Sequence, residues 1–295
     1  MVNEVQDAII RSGKVTLVGA GPGDADLLTV RALRAIENAD VIAYDELISD
    51  DVRALFPKRA HVLPVGRRAN GTRHHDERIH PEVIRLALAG CDVVRLKGGD
   101  PMMFGRGGEE IEALDELGIP WEVVPGVTAA LGAAAAFGFP LTHRDASAHV
   151  TFATAHFAKD DGDERALELA KGLPGNGTIV LYMGLSSLER LSRAFIEAGR
   201  AESTPVAVIS RATLPDERIV KGTLAGIAES VRKEDLLPPA LVVLGEVTNH
   251  AHLAQAHPAI AAPPESETRF RSAAADSRPG VGELNEAFLS PLEQR

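Results

Sequence analysis

A predicted strand that runs straight into a glycine-rich turn and then a helix constrains the fold of this chain most strongly. The strand is Asp92-Val-Val-Arg-Leu96, and the overlapping stretch Arg95–Glu110 contains five glycines, two arginines and three acids. Such a unit is typical of open α/β sheets, which bind small ligands at the carboxyl ends of their strands because backbone N–H and C=O groups are free there. The segment therefore predicts a fold class and a ligand site together.

The same alternation of short aliphatic strands and amphipathic helices continues along the chain. In the first half, strands are predicted over Lys14–Val18, Val41–Tyr44, His61–Val65, Val93–Leu96 and Trp121–Val124, and helices over Leu27–Asn38, Pro81–Ala89 and Glu109–Leu117. In the second half, strands are predicted over His149–Ala155, Thr178–Tyr182, Pro205–Ser210 and Ala240–Leu244, and helices over Glu164–Lys171 and Leu188–Ala198. This order predicts an α/β protein whose first sheet is mostly parallel.

Two α/β domains of comparable size follow from this reading. We expect an N-terminal extension over residues 1–13, a first domain over 14–142, a second over 143–250, and a flexible tail over 251–295. The tail is expected because it is rich in Pro, Ser, Ala and charge and lacks sustained periodicity.

Composition narrows the function classes. The net charge of −11 argues against a general nucleic-acid binder. Several arginines nevertheless fall near predicted strand ends, which suits a small polyanionic substrate, although pairing with neighbouring acids explains them equally well. The single cysteine, Cys91, indicates a reducing compartment, and the absence of a signal-like start leads us to expect a cytoplasmic protein.

The first turn, Gly19-Ala-Gly-Pro-Gly-Asp24, invites comparison with a dinucleotide fingerprint. That fingerprint needs a third glycine where this chain has Asp24. A carboxylate there repels a pyrophosphate but caps a following helix well. A nicotinamide-dependent dehydrogenase is therefore disfavoured.

Seven motifs, taken in order, resemble those of the tetrapyrrole methylases, and among them the members that methylate uroporphyrinogen III. They are Val18–Asp24, Tyr44-Asp45, Leu96–Pro101, Phe104–Glu110, Val124–Ala129, Pro140–Asp145 and Tyr182–Leu185. The resemblance spans roughly Gly13 to Val247. The motifs at 98–110 and 140–145 are its most specific parts.

This resemblance implies two α/β domains with S-adenosylmethionine (SAM) held in the cleft between them, usually in a homodimer. It implies methylation of uroporphyrinogen III at C-2 and C-7, giving precorrin-2 and S-adenosylhomocysteine (SAH), a step shared by the routes to sirohaem, cobalamin and haem d1. The residues that it implies for SAM contact are Pro22, Gly98, Gly99, Asp100, Met103, Thr128, Ala129, Met183, Ala212 and Ala240.

The remaining implied residues serve the acceptor. Arg106 and Arg144 match positions that bind substrate carboxylates, and Asp45 matches a proposed proton acceptor. Glu109 stands three residues beyond Arg106, on the same face of a helix, where two roles stay open: it orients an arginine, or it acts directly on a pyrrole proton. Arg67 stands where the family commonly has a lysine as proton donor. Because arginine stays protonated at ordinary pH, we expect Arg67 chiefly to bind carboxylate.

Two alternatives stay open. One is a methyltransferase of the same fold acting on a later corrin ring, and the other is a SAM-binding protein that has lost catalysis. The histidines at 74, 75 and 80 lie in a polar stretch without an accompanying ligand pattern, so no metal site is expected.

Overall fold

The computed structural model describes residues 13–66, 78–156 and 162–251, which form two five-stranded sheets with helices against them. The strands are β1 Val15–Gly19, β2 Val41–Tyr44, β3 His61–Pro64, β4 Val93–Lys97, β5 Trp121–Val124, β6 Val150–Thr154, β7 Thr178–Tyr182, β8 Pro205–Ser210, β9 Arg218–Thr223 and β10 Ala240–Leu244. The α-helices are α1 Val30–Asn38, α2 Asp50–Ala54, α3 Pro81–Leu88, α4 Gly107–Glu116, α5 Ala129–Ala136, α6 Gly162–Gly172, α7 Leu188–Glu197 and α8 Ile227–Lys233.

The first sheet has the order β3-β2-β4-β1-β5, and all its strand pairs are parallel. Its two faces are both covered, since Val83 of α3 and Leu114 of α4 pack on one face while Ile36 of α1 packs on the other. Burial on both faces explains the nearly continuous aliphatic strands. The prediction of a parallel first sheet is confirmed.

The second sheet, β6-β7-β10-β8-β9, differs from the first. Only β6 and β7 are parallel, and the other three pairs are antiparallel. The physical reason is local: β8 is followed by β9 with no helix between them, so the chain returns antiparallel instead of crossing over. The alternation of helices and strands is therefore interrupted between β8 and β9 and resumes with α8.

Helix α5 packs on the second sheet, although it precedes residue 142. Ala130, Ala133 and Phe137 share a buried cluster with Val180, Ile209 and other residues of that sheet. The packing thus favours a division between β5 and α5, upstream of the predicted boundary near residue 142.

Two residues that the sequence marked as caps lie at helical ends, one of them not where expected. Asp24 accepts a hydrogen bond from Asp26 N–H and caps a 3-10 turn at Ala25–Leu27, whereas Thr29 caps the following helix, α1. Gly118, with φ of +64°, follows the end of α4. Helices α2 and α8 were not predicted; α2 has five residues, and α8 begins at Ile227 after Gly226, which provides no side-chain cap.

No helix within the described ranges combines the length and the apolar character needed to span a membrane.

Candidate active site

Five strands of the first sheet end at one edge, and that edge carries most of the predicted site residues. Asp45 follows β2, Gly98 follows β4, the turn 20–24 follows β1, and Pro125 follows β5. Because the strands are parallel, their carboxyl ends lie side by side. Residues as far apart in sequence as Ala20 and Pro125 are thereby brought together.

The ends of β1, β4 and β5 approach one another closely, backbone against backbone. A Cβ atom at Gly126 would lie 2.2 Å from the carbonyl oxygen of Gly99, and one at Gly19 would lie 2.5 Å from Gly126 N. Gly99 has φ of +66° and exchanges two backbone hydrogen bonds with Gly21. Glycines at 19, 99 and 126 are therefore required for the loops to meet.

Asp100 fixes the loop that follows β4. One carboxylate oxygen accepts a hydrogen bond from Met102 N–H (2.8 Å), and the other accepts one from Gly126 N–H (3.0 Å). Met103 N–H is also bonded to the Asp100 carbonyl, at 3.2 Å. The carboxylate that the resemblance assigned to SAM contact thus ties the loop after β4 to the loop after β5.

The second sheet contributes its own edge. Met183 follows β7, Ala212 follows β8 after one residue, and Ala240 begins the antiparallel β10 that lies between them. The backbone of Arg211 donates a hydrogen bond to Pro239 O, 2.8 Å away, which ties two of these segments together. Three residues that the resemblance assigns to SAM are therefore neighbours in space.

Direct contacts join the end of β7 to the loops after β4 and β5. The Tyr182 hydroxyl hydrogen-bonds with Thr128 Oγ1 (2.7 Å) and accepts from Ala130 N–H (3.3 Å). Its ring centroid lies 4.8 Å from that of Phe104, in the loop after β4. Burial, with a contribution from Asp100, raises the pKa of Tyr182, so the phenol stays protonated.

The first turn also reaches the second half of the chain. A Cβ at Gly132 would lie 2.6 Å from Pro22 Cγ, so the Pro22 ring lies directly against α5. Asp24 N–H donates to Thr213 Oγ1 at 3.2 Å. Turn 19–24 therefore contacts both α5 and the loop after β8.

The residues present suit an adenosyl ligand. A Cβ at Gly98 would meet only Leu47 Cβ, at 3.5 Å, so the backbone there faces open space. Ala129, Ala212 and Ala240 are small and half-buried, and Met183 is an exposed apolar side chain. An open glycine backbone flanked by small and flexible apolar side chains can hold a nucleoside.

Arg106 and Glu109 lie where the loop after β4 becomes α4. Arg106 is the residue before the helix, has φ of 58°, and donates from Nε to Glu109 Oε1 at 3.2 Å. Within the described residues no other hydrogen bond or ion pair engages the Arg106 side chain, so its two Nη groups remain for a ligand. The predicted pairing of these side chains is thus present.

Arg144 projects from a tight turn in which His143 and Ser147 exchange backbone hydrogen bonds of 2.8 and 2.9 Å. The turn is held against the end of the second domain because the His143 ring stacks on His250, with centroids 4.6 Å apart. Arg144 is exposed and has no hydrogen-bonding or ionic partner in the described part of the chain. No described contact links it to Arg106.

Asp45 belongs to a buried charged cluster that the sequence did not predict. Arg95 Nη2 donates to Asp45 Oδ1 (2.6 Å), and Arg95 Nε donates to Glu110 Oε1 (3.0 Å). Lys97 Nζ lies 3.0 Å from Glu110 Oε2, an ion pair that is out of hydrogen-bond alignment. Arg95, Lys97 and Glu110 are all at least nine-tenths buried.

Burial and neighbouring charges act on this cluster in opposite senses. Burial tends to lower the pKa of Arg95, but Asp45 and Glu110 together raise it above its ordinary value. Burial, followed by the charge of Arg95, lowers the pKa of Lys97 despite Glu110 and Asp45. The sequence did contain a signal for this cluster. Arg95 and Lys97 are two residues apart in a strand, so their side chains share a face of the sheet, and buried cations there need a counterion.

Two sequence-based expectations concern residues that are not part of the arrangement described above. Arg67, with the neighbouring histidines 74 and 75, lies outside the described residues. Across ranges 13–66, 78–156 and 162–251, no three His, Cys, Asp or Glu side chains are grouped so as to hold a metal ion.

Comparison with known proteins agrees with this arrangement. Residues 14–228 match the family model for tetrapyrrole (corrin/porphyrin) methylases. The Bacillus subtilis uroporphyrinogen-III C-methyltransferase is 44% identical over 239 residues, which cover 81% of this chain and 92% of that protein. A siroheme synthase from Hahella chejuensis is 47% identical over 83% of this chain, but over only 51% of its own length. The chain thus spans about half the length of the siroheme synthases that it matches.

The fold agrees as well. A Thermus thermophilus uroporphyrin-III C-methyl transferase, crystallised with S-adenyl homocysteine, superposes with a TM-score of 0.67 at 39% identity, covering 80% of this chain and 99% of that one. The family model, the aligned relatives and the shared architecture lead to one conclusion: this chain belongs to the tetrapyrrole methylase family.

Proposed function

We propose that this protein transfers two methyl groups from SAM to pyrrole carbons C-2 and C-7 of uroporphyrinogen III, giving precorrin-2 and two molecules of SAH. The observation that carries the proposal is the meeting, at one cleft, of residues from both sheets that fall in the methylase motifs. Gly98, Gly99 and Asp100 come from the first sheet, and Met183 and Ala240 come from the second. The named substrates of the relatives are consistent with it.

The SAM-binding residues carry a positioning role. SAM, when bound, would supply a methyl group that a nucleophilic pyrrole carbon attacks in line. The new carbon–carbon bond forms as the methyl–sulfur bond breaks, and the electron pair of the broken bond passes to sulfur, which leaves as SAH. Methyl transfer of this kind depends on alignment and exclusion of water. The Gly98-Gly99 backbone, Met103 and the small residues Ala129, Ala212 and Ala240 serve that alignment, while Thr128 and Pro22 fix the walls.

The acceptor carries eight carboxylates, so the cations near the cleft have a direct use. Arg106 is held by Glu109 and offers its Nη groups to a carboxylate, and Arg144 provides a second fork. We assign Arg67 the same role, because an arginine cannot act as a proton donor at ordinary pH.

Each transfer leaves a positive charge on the macrocycle, which is removed when a proton departs. Asp45 stands at the end of β2 with its side chain 28% exposed, so it can reach a bound acceptor. We assign Asp45 as the acceptor of that proton. We further expect the active form to be a homodimer, as is usual in the family.

Purified protein should be incubated with SAM and enzymatically generated uroporphyrinogen III, with products followed by absorbance and mass. We expect a product heavier by two methyl groups and two equivalents of SAH. Methylation of a later corrin intermediate only would favour the first alternative. SAM binding without any methylated product would favour the second.

A further inference from the structure

None of the roles assigned so far involves the charged residues around Asp45, which are Arg95, Lys97 and Glu110. Arg95 and Lys97 alternate along β4, the central strand of the first sheet, and Glu110 reaches them from the first turn of α4. Taking charged groups into the interior costs several kcal/mol each, as an order of magnitude, and replacement by apolar residues is often neutral or stabilising. A purely structural role therefore explains this cluster poorly.

The contacts run in a chain that ends at the cleft. Glu110, buried, receives Arg95 Nε and lies against Lys97 Nζ; Arg95 in turn donates from Nη2 to Asp45. Arg95 Nη1 also donates to Leu96 O at 3.2 Å, so all three of its nitrogens are engaged. The contacts with Glu110 and Leu96 thus fix the guanidinium independently of its contact with Asp45.

Only one of the two Asp45 oxygens is used in this way. Oδ1 accepts from Arg95, whereas Oδ2 receives no hydrogen bond from any residue in the described ranges. In this series of contacts Glu110, at the buried end, is thus paired with Arg95. Asp45, at the exposed end, keeps a carboxylate oxygen that can take a proton.

We propose that Arg95, held by Glu110, is a positioning residue for Asp45: it fixes Oδ1 so that Oδ2 is presented to the acceptor. The inference rests on the proposed function, since it needs Asp45 to accept the proton that leaves the macrocycle. Lys97 supports it indirectly. Arg95 supplies one positive charge for the two carboxylates of Asp45 and Glu110, and Lys97 supplies the second.

A double-mutant cycle separates this role from a structural one. Arg95→Lys keeps the charge but loses the fork that spans Asp45 and Glu110. We expect it to lower kcat by at least about tenfold, within the range of a general base's contribution, with KM for SAM within about twofold of wild type. In an Asp45→Asn background the same change should cause no further loss of kcat, because the group on which it acts has gone.

Two further variants keep the test clear. Glu110→Gln, which loosens Arg95 without removing it, should lower kcat less than Arg95→Lys and also only when Asp45 is present. Val83→Ala is the matched control, because Val83 is fully buried in the core on the same face of the sheet and its truncation destabilises without touching Asp45. Its kcat should equal that of wild type at a temperature where both are folded.

The outcomes distinguish the two claims. A wild-type protein that makes no dimethylated product overturns the proposed function. If wild type is active, an Arg95→Lys loss that is equally large in both backgrounds, or an Arg95→Lys enzyme with undiminished kcat, overturns the positioning role.

Discussion

At the residue scale, local spacing predicted contacts within one turn of helix but not those between elements. The Arg106–Glu109 pair follows from a separation of three residues at a helix start, and the structure contains it. The contact of Arg95 with Asp45 joins residues 50 positions apart and depends on β2 lying next to β4. Strand order is not encoded in local pattern, so that contact could not be predicted.

The buried lysine of the cluster gives a pH prediction. The lowered pKa of Lys97 means that the folded protein releases this proton at a lower pH than the unfolded chain, whose ordinary value is 10.5. Between those two values the unfolded chain binds more protons, so Lys97 makes the free energy of unfolding rise with pH.

Lys97→Met should remove that rise. The difference in unfolding free energy, wild type minus variant, should increase with pH up to 10.5 when measured by urea denaturation. Taking a difference cancels the opposite contribution of Cys91, whose pKa is raised by burial and then by Asp40. Lys233→Met, at an exposed position, serves as control; a flat or falling difference for Lys97→Met contradicts the assignment.

At the element scale, the predicted strands and most helices are present, and it is the ends of the strands that build the site. Apolar runs bounded by glycine and proline predicted the strands of the first sheet because that sheet is buried on both faces. The close approach of the loops after β1, β4 and β5 was not predictable. Each glycine there makes room for the backbone of a different loop, which is distant in sequence.

Gly126→Ala tests that close approach. The added Cβ would lie 2.2 Å from the Gly99 carbonyl oxygen, between two backbones that have no flexible side chain to move. We expect a loss of about 1–3 kcal/mol in the free energy of unfolding, together with weaker SAH binding. Gly172→Ala, where no atom lies within 4 Å of the new Cβ, should be neutral or slightly stabilising. Equal stability of the two variants would contradict the account.

At the scale of the whole molecule, the cleft depends on contacts between the two sheets. Tyr182 meets Thr128 and Phe104, while Pro22 lies against α5. Sequence reasoning placed a cleft between two domains only through resemblance, because periodicity carries no information on how two sheets face each other. It also missed that β10 runs antiparallel between β7 and β8, which makes Met183, Ala212 and Ala240 neighbours.

The central claim is that the single loop after β4 has two halves with different partners. Its first half, from Gly98 to Met103, is assigned to the methyl donor, and its second half, with Arg106 and Glu109, to the acceptor. Gly98 offers a selective probe because a Cβ there would meet only Leu47 Cβ, at 3.5 Å, and would point into open space instead of the core.

Calorimetric titration with SAH, run beside the turnover assay, tests this division most directly. We predict that Gly98→Val weakens SAH binding by at least about tenfold, equivalent to about 1.4 kcal/mol, while its unfolding midpoint stays near that of wild type. Arg106→Ala and Arg144→Ala should bind SAH within about twofold of wild type and yet lose turnover. Loss of SAH binding in both arginine variants, with binding intact in Gly98→Val, would contradict the account.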